Sequence, residues 1–221
     1  MKKIFLKTTA VLNLLSLFLG GILFFILKIP FFLPIYTFYY KKEKLANSLL
    51  ISEEKLIFYT KNLFSYLKSK DFLDSSWFSK KDILHMIDVK YLYHSSTRIM
   101  LFLLSFFVIS TVFLFLIYKK DFLFYLLKIF NKVFLIFILL LSAIITFIAI
   151  DFNKFWINFH KIFFTNDLWL LSPNESNLIK MFPENFFLLL SSIMCISIIL
   201  FFIFLFALKH ILKKYILTNS I

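Results

Sequence analysis

The chain has 221 residues and a formal charge of +13, and 61% of its residues are hydrophobic against 17% charged. A soluble domain is about half apolar, so this excess requires lipid as part of the solvent. With 2 Gly, adjacent in the first apolar run, and 1 Cys, a glycine-rich phosphate loop, a soluble nucleotide-binding fold and a disulfide scaffold are excluded.

Four uncharged runs, 8–27, 99–118, 133–150 and 186–208, can each cross a hydrocarbon core of about 30 Å at about 1.5 Å per residue. The expected fold is an all-α membrane protein: four transmembrane helices with a small extracellular cap of helices and short strands. The corresponding segments are helix 1 at 1–27, cap at 28–98, helix 2 at 99–118, a cytoplasmic loop at 119–132, helix 3 at 133–150, cap at 151–185, helix 4 at 186–208 and a tail at 209–221. Lys2 and Lys3 precede the first run as in a signal peptide. Its apolar stretch is too long for one and no small-x-small site ends it before Lys28 and Pro30, so a retained anchor is expected.

Lysine is dense in three short segments (Lys2, Lys3, Lys7; Lys119, Lys120, Lys128, Lys132; Lys209, Lys213, Lys214) that alternate with 28–98 and 151–185. The positive-inside rule then places both termini in the cytoplasm and both long segments outside. The charge is spread over the whole chain and forms no single basic face, so nucleic acid is not an expected partner.

Within 28–98, the aromatic and β-branched stretch 35–40 after Pro34 reads as a short strand. Ser52 followed by Glu53 and Glu54 reads as a helix start, and 73–78 as a turn with an aromatic anchor. Ser79 and Asp82 form a capping-box pattern opening a second helix, which should run into the second span with a bend at Ser95 and Ser96. On that helix His85 and His94 are nine residues apart and point to opposite faces. Asp88, at i+3 from His85, is placed to hold the imidazole's tautomer and orientation. Residues 122–130 read as an apolar stretch lying flat at the inner surface.

Within 151–185, Phe152, Phe155 and Phe159 form one helical column. Trp156, His160 and Phe164 form another at i+4 steps, so His160 is expected between aromatic rings. Asn166, Asp167, Trp169, Pro173, Glu175, Pro183 and Glu184 follow as a polar cluster larger than a tight connection needs. Cys195 has no partner and reads as apolar filling. From these residues alone several readings stand. His85, His160 and a carboxylate could supply three zinc ligands, although no H-E-x-x-H or C-x-x-C pattern exists. A transporter would call for internal repeats and for breaks and charges within the spans, which are missing. A non-catalytic membrane scaffold fits the same composition.

HMIDVK at 85–90, FHKIFFTNDLWLLSP at 159–173 and LIKMFPENFF at 178–187 resemble the bacterial lipoprotein intramolecular transacylase family, Lit. The resemblance implies four transmembrane helices under an extracellular cap in the bacterial plasma membrane, and two catalytic histidines, carried by motif onto His85 and His160. It implies an acyltransferase that works without metal or cofactor on diacylated lipoproteins among membrane lipid. The sn-2 acyl chain of the diacylglyceryl-cysteine moves to that cysteine's own α-amino group, leaving the lyso form. A hydrolase of lipids or lipopeptides using the same histidines is the alternative. His94 and His210 match nothing in the family's motifs. Ser172 and Ser176 stand where the family pattern has acidic residues, so Glu175 would have to substitute. Orienting or substrate-binding roles are expected for Asp88, Trp156, Phe159, Phe163, Phe164, Asn166, Asp167, Trp169 and Glu184. The chemistry suits imidazoles, because the attacking amine must lose a proton and the departing glyceryl oxygen must gain one. An aromatic pocket would contribute by folding the substrate into the ring its own attack requires.

Overall fold

A computed structural model of the protein describes residues 2–218. Residue 1 of the expected first segment and residues 219–221 of the expected tail lie outside the described residues. Every regular element among the described residues is helical. In chain order they are α1 (Lys2–Lys28), a 3-10 turn (Ile29–Phe31), α2 (Leu33–Lys42), α3 (Leu45–Leu49), α4 (Glu53–Leu67), α5 (Lys80–Tyr118), α6 (Lys120–Ile150), α7 (Phe152–Phe163), α8 (Asn177–Met181) and α9 (Glu184–Thr218). Four of them, α1, α5, α6 and α9, are long and apolar enough to cross a membrane.

The described residues divide into two compact units, one drawn from 1–26, 97–149 and 194–221, the other from 27–96 and 150–193. In the first unit Leu6, Ala10, Leu14 and Phe18 recur one turn apart and form a buried stripe of α1. Phe18 sits edge-on to Phe130, Phe134, Phe137 and Phe202, with ring centroids 5.1–6.4 Å away, the geometry that ring quadrupoles favour. A methyl group on Gly20 would meet the Leu104 side chain and one on Gly21 the Phe201 ring, so small residues here allow close approach of neighbouring helices. Phe102, Ile109, Leu116, Leu139 and Ile203 are exposed, which lipid solvates and water would not. Residues 120–132, read above as part of a loop, are helical: the chain reverses at Lys119 (φ 46°) and α6 begins at once. Phe122, Ile129, Phe130 and Val133 are buried in this unit's core, so the stretch read as lying flat packs against other helices instead.

The second unit corrects the expected strand. Residues 35–40 are part of α2, with Pro34 in its first turn, where a missing N–H costs nothing. Tyr36, Tyr39 and Tyr40 are buried, and helical spacing is what gathers them on one face; this packing outweighs their β propensity. Tyr36 and Tyr39 pack on Phe186 at 4.8 and 5.2 Å, and the Tyr40 hydroxyl meets Thr60 Oγ1 at 2.6 Å. Ser52 caps α4 by accepting from Lys55 N–H. The 73–78 turn is anchored by Trp77, which stacks on Tyr59 at 4.4 Å and donates its indole N–H to the Met181 sulfur. Helix α5 is continuous through Ser95 and Ser96.

Candidate functional site

Helix α5 opens with a reciprocal capping box: Ser79 N–H donates to Asp82 Oδ2 at 3.0 Å and Asp82 N–H to Ser79 Oγ at 3.1 Å. The Asp82 carboxyl is fully buried and also accepts from the Ser176 hydroxyl. Ser176 is itself buried and caps α8 by accepting from Ile179 N–H at 3.1 Å. This serine, at a position expected to be acidic, therefore ties the segment between 173 and 178 to the start of α5. Neither Asp82 nor Ser176 was a candidate site residue in the sequence, although Asp82 stands at i−3 from His85, on its face of the helix.

One turn into α5, His85 is buried. Helix α7, capped by Asp151 accepting from Lys154 N–H, carries His160, which is also buried. The two imidazole centroids are 6.0 Å apart. Phe164 flanks both, 5.4 Å from His85 and 5.6 Å from His160. Trp156, Phe159 and Trp169 close around His160 at 4.5, 5.3 and 4.9 Å, the last of them stacked on the imidazole. His94 is on another face, with its Nε2 3.1 Å from Ser69 Oγ. His210 lies in α9 within the first unit.

Hydrogen bonding assigns one tautomer. His160 Nδ1 is 2.8 Å from the Trp156 carbonyl oxygen. A carbonyl only accepts, so in neutral His160 the proton sits on Nδ1 and Nε2 keeps its lone pair. His85 Nδ1 is buried without a hydrogen-bond partner, an arrangement with an energetic cost and no structural return. Burial pushes the His85 imidazole down to about 4; His160 acts in the same direction, while the Asp88 and Asp82 carboxylates oppose it. Burial also lowers His160, against the pull of its bond to Trp156. Burial thus favours the neutral form of both rings.

The other candidates are distributed more widely. Asp88 makes no hydrogen bond to His85; its Oδ2 accepts from the Asn166 side-chain amide at 2.9 Å. Asn166 Oδ1 in turn accepts from Leu168 N–H. Phe163 is half exposed and packs on Phe159 at 4.9 Å. Asp167 is exposed, its backbone carbonyl accepting from Leu170 N–H, and Glu184 accepts from Asn153 some distance along the chain. Glu175 is exposed; Ser176, not this acid, reaches Asp82. Among the described residues no group of three His, Cys, Asp or Glu side chains is arranged to hold a metal ion.

The family model for "Lipoprotein intramolecular transacylase Lit" matches residues 11–187, a stretch that includes both buried histidines. The chain belongs to the lipoprotein intramolecular transacylase family. It is thereby an acyltransferase, with the membrane-integral, all-helical architecture described above. Its fold is that of the lipoprotein intramolecular transacylase from Bacillus cereus solved in meso, with a TM-score of 0.80 at 20% identity over 98% of this chain and 97% of that one. Two variants of the Bacillus cereus protein, in which a histidine is replaced by arginine or by alanine, match at TM-scores of 0.79 and 0.78, with 19% and 20% identity. They cover 99% and 97% of this chain and 96% of each of those chains. None of the curated proteins matches the chain.

Proposed function

We propose that this chain moves the sn-2 acyl group of a diacylated lipoprotein onto the α-amine of the same lipoprotein's terminal cysteine, with His85 and His160 carrying the protons. The observation that carries this reading is the pair of buried imidazoles, brought from separate helices to centroids 6.0 Å apart. His160 Nε2 has a free lone pair and takes the proton that the amine loses as its nitrogen bonds to the ester carbon. The C–O bond to glycerol breaks, and the departing oxygen receives one proton from the pair, which returns to its starting charge. One proton leaves nitrogen and one arrives at oxygen, so no cofactor is consumed. The low proton affinity of these buried rings makes their protonated forms strong acids, suited to an alkoxide leaving group. Trp156, Phe159, Phe164 and Trp169 form the apolar wall that folds the substrate onto itself. In this reading both termini are cytoplasmic, the 28–98 and 151–185 segments face outward, and the acyl chains remain among membrane lipid.

Mass spectrometry of a synthetic diacylated lipopeptide incubated with the purified protein tests the reaction. The expected product has unchanged mass, with fragments placing one acyl group on the cysteine nitrogen. A free fatty acid and a lighter lipopeptide would identify a hydrolase instead.

A further inference from the structure

Beside the histidine pair lies a cavity of about 180 Å³, whose walls include Asp88, Tyr91, Leu92, Phe163, Phe164 and Asn166. We propose that this cavity is the recruitment site for the free α-ammonium of the substrate's terminal cysteine, with the Asp88 carboxylate as its counter-ion. The proposal rests on the acyl-transfer reading and adds to it where the amine waits before attack.

Among the described residues Asp88, like most carboxylates of this chain, has no ion pair. The lysines nearest in sequence are engaged elsewhere: the Lys90 ammonium lies 4.4 Å over the Tyr66 ring, and Lys81 donates to the Leu170 carbonyl. Asp88 is instead fixed by the amide of Asn166, whose oxygen is held by Leu168 N–H. That leaves Asp88 Oδ1 for a cation, in an open cavity that Leu92, Phe163 and Phe164 line together with the polar Ser95, Thr165 and Asn166, and a charge-assisted hydrogen bond is the stronger kind. The volume suits an amino-terminal residue and not two acyl chains. Phe164 borders the cavity and also touches both imidazoles, so an amine released from Asp88 has one ring to pass before it reaches the pair.

The chemistry gives the site a direction. The ammonium first gives one proton to solvent and leaves the carboxylate. The N–C bond then forms as the ester C–O bond breaks, and the second nitrogen proton passes to the glyceryl oxygen. The product nitrogen is an uncharged amide, so the group that recruited the substrate no longer holds the product.

The test uses a dialkyl-ether lipopeptide, which cannot transfer, with a free or an N-acetylated terminus. Binding to the full chain is measured in phosphatidylcholine nanodiscs, so it is read independently of turnover. The wild type should prefer the free amine about fivefold, the scale of a partly exposed ion pair. Asp88→Asn should bind both peptides at the wild-type N-acetyl level, and Asp88→Glu should restore part of the preference. No preference in the wild type, a preference retained in Asp88→Asn, or equal loss of both peptides in that variant would each overturn the proposal. Failure of acyl transfer itself would appear only in the product assay.

Discussion

The two units bury different chemistry. The interior of the first is hydrocarbon and aromatic rings, with Asn13 and a few serines as its buried polar groups apart from Lys209, whose ammonium lies over the Phe206 ring near the end of α9. Asn13 is used structurally: its amide donates to the Phe107 carbonyl, Ser110 Oγ and Thr111 Oγ1 at 2.7–3.1 Å, joining α1 to α5. The interior of the second holds Asp82, His85, His160 and Ser176. Asp82 and Ser176 satisfy each other, whereas His85 Nδ1 has no partner, as Asn13 Oδ1 has none in the first unit. Burying a polar group costs free energy unless it is hydrogen-bonded. The lesson is that buried polar groups in the first unit join helices, while in the second they also bring two imidazoles to within 6.0 Å, the arrangement the proposed reaction needs.

The sharpest way to break this contrast is to remove the buried carboxyl. Asp82→Ala would strip the Ser176 hydroxyl and Ser79 N–H of their acceptor and should destabilise the protein by about 3 kcal/mol. Thermal unfolding in detergent, followed by circular dichroism, checks this; an unchanged midpoint would mean that Asp82 does not hold α8 to α5.

Acid should act next most strongly, and through the second unit. His85 is held at about 4, below an unfolded value near 6.5. A depressed histidine contributes stability that is present above the unfolded value and lost as pH falls through the window toward the folded one. From pH 6.5 to 5.0 the loss should be about 2 kcal/mol. Unfolding midpoints measured across that range should fall in the wild type and flatten in His85→Asn; parallel slopes would assign the acid sensitivity to other groups.

Asn13→Leu should cost about 1 kcal/mol, the scale of an interhelical hydrogen bond in a membrane, and leave the rate of N-acyl product formation unchanged. A slower reaction in the folded variant would connect the first unit to the chemistry. The smallest effect should come from His94→Gln, within about 0.5 kcal/mol and with turnover unchanged, because this ring contacts Ser69 away from the pair. A loss comparable to that of a buried histidine would place His94 in the site.

These outcomes follow contacts that differ in how readily they can be read from the chain. The Ser52 cap and the Ser79–Asp82 box are local, since side chain and backbone partner are three residues apart, and both form as read. The aromatic surroundings of His160 are also local, because Trp156 and Phe164 are each one helical turn away. The Asn166 amide on Asp88, the Ser176 hydroxyl on Asp82 and the Trp169 ring on His160 depend on how a loop folds back, and no periodicity encodes that. The stretch 35–40 misleads for a related reason: its β-rich composition is outweighed by the rings of α4 and α9 that meet Tyr36 and Tyr39.

The central claim is that His85 and His160 act as one proton-transferring pair, and single-turnover acyl transfer by the two single variants and the double variant measures it most directly. His85→Asn and His160→Asn should each slow formation of the N-acyl product by about 10² to 10⁴, with lipopeptide binding retained. The double variant should be little slower than the worse single one, because groups acting as a unit are not additive. Full activity in either single variant, or losses that multiply in the double, would contradict the pair.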